Sequence, residues 1–102
     1  MFDTIQFTHR KGEKSPARIL VLALSTCGFC KSALEFLDRN GFDYRFVHVD
    51  TLPPDTKSRL REEFSGRFGG KLVYPTMILN ESEIVQGFLL PSWERALGLQ
   101  GG

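Results

Sequence analysis

The sequence predicts an α/β domain with the element order β-α-β-α-β-β-α. This is a mixed four-stranded sheet covered by helices, with an extra N-terminal strand possible. Three observations point to it. The continuously apolar run Ile19-Leu20-Val21-Leu22-Ala23-Leu24 has the character of a strand buried on both faces. Cys30, Ala33, Leu34 and Leu37 then recur at helical spacing, and Tyr44 to Val49 follows as a second strand rich in aromatic and β-branched residues. Further on, Met77-Ile78-Leu79 and Glu83 to Gln86 flank the turn Asn80-Glu81-Ser82 and read as a hairpin.

Residues 1–17 read as an N-terminal extension or edge strand, and residues 18–100 as the main domain. Ile5 and Phe7 alternate with Gln6 and Thr8, which suggests a short strand or arm, and His9 to Pro16 is a polar connector. After the strand at 19–24, Ser25 or Thr26 can cap the first helix. That helix runs to about Arg39 and stops at Asn40-Gly41, with Glu35 and Arg39 forming an i,i+4 pair on its outer face. Two strands joined by one helix make a right-handed parallel crossover. Thr51-Leu52-Pro53-Pro54-Asp55 starts a second helix, with proline in the first turn and Asp55 at the positive end. Leu60 and Phe64 share its apolar face, and Gly66, Gly69 and Gly70 end it. Pro91-Ser92 opens a last helix with Trp93, Ala96 and Leu97 inward, closed by Gly98.

The only two cysteines, Cys27 and Cys30, stand where the first strand gives way to the first helix. A C-x-x-C opening a helix within a β-α-β pattern reads as a dithiol redox site. Backbone N–H groups at a helix start are unpaired and the helix dipole is positive, which favours a thiolate on Cys27. Cys30 lies one turn further in and faces the interior with Ala33, Leu34 and Leu37. Cys27 is therefore expected to attack a substrate disulfide and Cys30 to resolve the mixed disulfide. Gly28 allows close approach and Phe29 supplies an apolar contact. A tetrahedral zinc site needs four ligands. Cys27, Cys30, His9 and His48 offer no second pair at metal spacing, so no metal is expected. His48 reads as a packed or edge residue and His9 as exposed.

Composition narrows the partners. The chain has 102 residues, 41% hydrophobic and 25% charged, with a formal net charge of +1. So small an imbalance points to neither nucleic acid nor an anionic membrane. The longest apolar run falls far short of the roughly 20 residues of a membrane span. The N-terminus lacks the pattern of a secretory signal, so a cytoplasmic, reducing environment is expected, where paired cysteines are seldom structural.

A second landmark is Val73-Tyr74-Pro75-Thr76, just before the third strand, and a third is Gly87 after the hairpin. With Cys27-Gly28-Phe29-Cys30, these make the sequence resemble the glutaredoxin branch of the thioredoxin superfamily, from about Ile19 to Leu99. The resemblance implies that Pro75 is cis and lies against the cysteines. It also implies that the backbone of Tyr74 pairs with an extended substrate peptide or with glutathione. Gly28, Phe29, Tyr74, Pro75, Thr76, Gly87 and Phe88 are the implied substrate-binding residues. No bound cofactor is implied. Disulfide-containing proteins are the implied partners, with glutathione or a thioredoxin-reductase-type flavoprotein as reductant.

The chain departs from the family pattern in three places. Gly28-Phe29 stands where dithiol members usually have Pro-Tyr or Pro-Phe. Leu24 stands where they usually carry a lysine for a glutathione carboxylate. Gln86-Gly87-Phe88-Leu89-Leu90 stands where Gly-Gly and polar residues usually bind the γ-glutamyl end. These weaken the glutathione contacts, with Arg61, Arg67 and Lys71 as candidates to replace them. Gln86-Gly87-Phe88 with Pro91 resembles redoxins that serve ribonucleotide reductase, which draw electrons from thioredoxin reductase. Gly28-Phe29 also resembles the Cys-Gly-Phe-Ser site of cluster-binding glutaredoxins, so the alternative function is iron–sulfur carriage by Cys27 with glutathione.

Overall fold

The apolar run at 19–24 forms the centre of a five-stranded sheet in the computed structural model, which describes residues 1–99 of the chain. The elements are β1 (Thr8–Arg10), β2 (Ile19–Ala23), α1 (Gly28–Arg39), β3 (Tyr44–His48), α2 (Pro54–Phe68), β4 (Thr76–Leu79), β5 (Glu83–Gln86) and α3 (Leu90–Ala96). The sheet order is β1-β3-β2-β4-β5. β2 and β3 are parallel, as a strand–helix–strand crossover requires. The β1–β3, β2–β4 and β4–β5 pairs are antiparallel. The expected domain end at residue 100 lies outside the described residues.

β2 reads as continuously apolar because it has helices on both sides. Val21 and Ala23 pack with Ala33, Phe36 and Leu37 of α1 and Trp93 of α3. Leu22 packs on the opposite face with Val47, Ile78, and Leu60 and Phe64 of α2. Burying each such side chain contributes about 1.5–3 kcal/mol, so neither face of β2 tolerates a polar residue.

The extra strand exists, but it is Thr8–Arg10 rather than the alternating stretch around Ile5 and Phe7. β1 is an edge strand whose three residues are all exposed, so no apolar alternation marks it. Polar contacts anchor it instead: His9 Nε2 lies 3.1 Å from the Asp43 carboxylate, and Arg10 donates to Asp38 at 2.8 Å. Phe2 and Ile5 turn the other way and are buried in the α2-side cluster, where the Phe2 amide donates to Glu63 at 2.8 Å.

Helix ends also differ from expectation. α2 begins at Pro54 rather than Thr51, after a short 3-10 turn over Val49–Thr51. Leu52 and Pro53 each precede a proline, and both are extended, with ψ 151° and 150°. The following pyrrolidine ring disfavours helical geometry at such positions. Gly66 lies inside α2, while Gly69 and Gly70, both at positive φ, form its exit. α1 ends at Asn40-Gly41 as expected, with Gly41 at φ +73°. Glu35–Arg39 is not among the ion pairs of the described residues. The outer end of α1 is instead tied to β1 through Arg10–Asp38.

The strand directions bring four segments together. β2 and β3 are parallel, and β4 is antiparallel to β2, as β5 is to β4. The exits of β2, β3 and β5 and the entrance of β4 therefore meet at one end of the sheet. Cys27, the residues after His48, Pro75 and Gly87 all sit there.

The polar connector proves closely packed. Lys14 donates its amide to Gly41 O at 2.9 Å and accepts from the Asp43 amide at 2.8 Å, and the Gly12 amide donates to the Asp43 side chain at 3.2 Å. A Cβ on Gly12 would collide with the backbone of Gly41 and Phe42. Gly12→Ala should therefore destabilise the fold by about 1–3 kcal/mol, the usual cost of overpacking. Thermal denaturation would show this as a lower Tm; an unchanged Tm would mean that the connector does not pack on the 41–43 turn.

Candidate active site

Cys27 is the N-cap of α1. Its backbone is extended, and its Sγ accepts the Cys30 amide hydrogen at 3.2 Å. The sulfur thus takes the capping place expected for Ser25 or Thr26. The Cys30 thiol hydrogen-bonds to the same sulfur. No acidic residue stands in the first turn of α1.

Cys27 is half-buried, whereas Cys30 is 1% exposed. Burial pushes the Cys30 thiol up to about 12, and its bond to Cys27 adds to the rise. The Leu24 amide, donating to Cys30 Sγ at 3.4 Å, acts the other way. Cys30 therefore holds its proton at neutral pH. The pair can offer one accessible sulfur with a protonated thiol directly behind it.

The Tyr74–Pro75 peptide is cis, and Pro75 is fully buried. Tyr74 lies one step beyond Pro75 in the register that pairs Thr76 with Leu22, so it approaches Leu24 near the cysteines. Its hydroxyl is buried and has no protein partner among the described residues. Thr76 is buried and its hydroxyl donates to Val73 O, so its side chain does not face outward. Gly87, at φ +75°, joins two elements: its N–H donates to Pro75 O at 2.7 Å, and its O accepts from Trp93 Nε1 at 2.8 Å. Phe88 turns inward, with ring centroids 5.9 Å from Phe36 and 5.1 Å from Trp93. Of the expected substrate-contact residues, Phe29 is the large exposed one, at 70%.

Sequence reading missed the contact that holds the approach to Cys27. Asp50 accepts the Ser25 amide at 2.9 Å and also the Ser25 hydroxyl. These donors hold the Asp50 carboxyl below its usual range. The signal was present in the topology, because a parallel crossover places the exits of β2 and β3 side by side. His48 stacks its edge on Phe46, with centroids 5.3 Å apart, and lines a groove of about 430 Å³ beside Cys27 and Lys31. His9 belongs to the β1 edge with Asp43. Arg67 donates to Glu81 O on the β4–β5 turn, at the sheet end away from Cys27. It is therefore occupied far from the position where a glutathione carboxylate would need it. Among the described residues, no group of three or more His, Cys, Asp or Glu is arranged to hold a metal ion.

Comparison with known proteins agrees with this fold. Among solved structures, the glutaredoxin from Methanosarcina mazei Go1 is 26% identical with a TM-score of 0.77, covering 93% of this chain and 90% of that one. Methanoredoxin from Methanosarcina acetivorans is 32% identical with a TM-score of 0.74, covering 82% and 87%. A glutaredoxin from Archaeoglobus fulgidus is 28% identical with a TM-score of 0.68, covering 78% and 84%. A search among curated proteins finds no match. The family model described as Glutaredoxin matches residues 19–84. That span takes in both cysteines, the Tyr74–Pro75 loop and the start of β5, so the chain belongs to the glutaredoxin family of thiol oxidoreductases.

Proposed function

We propose that this protein reduces disulfides in proteins or small thiols, with Cys27 as nucleophile and Cys30 as resolving thiol. The observation that carries this reading is the Cys27 sulfur accepting the Cys30 amide at the start of α1, with Cys30 buried beneath it. The Cys27 thiolate attacks one sulfur of the substrate disulfide. A mixed disulfide forms and one substrate thiolate leaves, taking a proton from solvent. Cys30 then gives up its proton and attacks Cys27 Sγ, which closes the Cys27–Cys30 disulfide and releases the second substrate thiol. Two electrons pass from the dithiol to the substrate. Glutathione or a thioredoxin-reductase-type flavoprotein restores the dithiol. This cycle suits a reducing compartment such as the cytoplasm.

The cis-Pro75 loop supports a backbone role for Tyr74, since its hydroxyl points inside. The Ser25–Asp50 contact supports a fixed approach to Cys27. Asp50 loses this contact only when protonated, so its contribution is present above the ordinary value of 3.8 and fades as pH falls below it.

Insulin reduction with dithiothreitol tests the central reading. Cys27→Ser should bring the rate to background, and wild-type rates in this variant would remove the proposal. Cys30→Ser should instead accumulate a mixed disulfide at Cys27, visible as a mass increase equal to the substrate thiol less two hydrogens.

Iodoacetamide at pH 8 should label Cys27 alone in the native protein and both cysteines in urea. Native labelling of Cys30 should appear only as pH approaches about 12. The sign for stability follows. The unfolded thiol ionises near its ordinary value of 9.0 while the folded one stays protonated, so stability falls as pH rises between about 9 and 12. Equal labelling of the two sulfurs at pH 8 would contradict the assigned roles.

Tyr74→Phe removes a hydroxyl with no protein partner. It should leave disulfide reduction within about twofold and should not lower the Tm. A tenfold loss of rate would mean that the hydroxyl itself takes part.

A further inference from the structure

The two faces of β2 are not equally covered. On the α1 side Ile19, Val21 and Ala23 are buried. On the α2 side Leu22 is fully buried, yet Leu20, two residues earlier on the same face, stays half-buried. β2 is the middle strand of five, where an apolar side chain is ordinarily sealed. Beside Leu20 on that face stand its cross-strand partners, Arg45 of β3 and Ile78 of β4. Phe2, Ile5 and Phe7 of the N-terminal arm face this row across a cavity of about 350 Å³.

The arm is a fixed wall. Phe2 is 2% exposed, and its ring centroid lies 6.4 Å from that of Phe7. Its backbone is left-handed, with φ 56°, a conformation that an aromatic residue keeps only where its surroundings hold it. Here the Phe2 amide donates to Glu63 of α2 at 2.8 Å, and Phe2 O accepts from the Ile5 amide at 3.1 Å. A preformed concavity with apolar walls and a few charged groups is the common form of a small-molecule site, and this volume is at the lower end of the usual range of about 300–1,000 Å³.

Charge at the cavity decides the ligand. Asp3, Arg18, Arg45 and Glu81 also line it. The Asp3 carboxylate meets the Met1 ammonium at 3.3 Å, and Glu81 lies 3.6 Å from that ammonium and 3.7 Å from Arg18. Arg45 is in no ion pair among the described residues. Asp43, whose carboxyl feels the Arg45 charge, is already hydrogen-bonded to His9 and to the Gly12 amide. A guanidinium offers a planar fork of donors that matches a carboxylate. The two carboxylates already present disfavour a ligand of higher negative charge.

We propose that this cavity binds a small monocarboxylate with an apolar body. The carboxylate sits on Arg45, with Arg18 beside it, and the body covers Leu20 and Ile78 beneath the arm. The cavity lies at the sheet end that holds the β4–β5 turn, away from Cys27, so the proposal stands apart from the dithiol reading.

The test titrates octanoate, 1-octanol and acetate into the full-length protein labelled with nitrogen-15, with amide shifts as the readout. Octanoate should saturate one site, with the largest shifts at Phe7, Leu20, Arg45 and Ile78 and none at Cys27. 1-Octanol should bind about tenfold more weakly, and acetate should not bind measurably. Arg45→Gln should weaken octanoate about tenfold and leave 1-octanol unchanged. Arg45 is exposed, so this variant removes no core packing, and its spectrum without ligand reports that the fold is kept. The proposal falls if octanoate gives no saturable shift, if its shifts centre on Cys27 and Phe29, if octanoate and 1-octanol bind equally, or if Arg45→Gln binds octanoate as the wild type does.

Discussion

A single hydrogen bond organises this protein: the Cys30 amide donating to Cys27 Sγ at the start of α1. A helix start leaves backbone donors without partners, and here a sulfur supplies what a serine or aspartate oxygen commonly does. The same contact makes Cys27 the last extended residue and turns Cys30 inward, so one sulfur is reachable and the other is not. Placing Cys27 as the cap depends on where β2 ends and on how the two residues between them are held. The buried β2 strand sets the first, and the Ser25–Asp50 contact sets the second.

The rest of the site is gathered by strand direction. β4 runs against β2 and β5 against β4, so residues about 50 and 60 positions from Cys27 in sequence arrive at the same sheet end. Gly87 then works as a junction. Its amide reaches the cis-proline loop and its carbonyl reaches Trp93, so that loop and the start of α3 are set relative to each other. Phe88 closes the junction from within by packing on Phe36 and Trp93. The candidate site is a meeting of backbone segments around the two sulfurs.

Membership of the glutaredoxin family settles the class of chemistry. Arg67, a candidate for a glutathione contact, is engaged on the β4–β5 turn instead. Phe29 presents apolar surface in the first turn of α1, next to Cys27. The groove beside Lys31 and His48 brings charged side chains to the sulfur.

The sequence by itself determined the order of the main elements, the central strand, the exit of α1 at Asn40-Gly41, and the identity of the two cysteines at the start of α1 and of the proline just before β4. These are legible because they rest on local patterns: apolar runs, helical spacing, turn residues and a short motif. Tertiary structure decided the rest. β1 is held by pairing with β3 and by His9 and Arg10, and an exposed edge strand needs no apolar alternation to announce itself. Phe88 reads as a surface contact in sequence but turns inward, because Phe36 and Trp93, from two other elements, form the pocket that takes it. Ser25 reads as a cap but is claimed by Asp50 across the crossover, which leaves the capping place to Cys27. Each of these outcomes turns on a partner far away in the chain, and residue spacing carries no record of a contact that only the folded sheet creates.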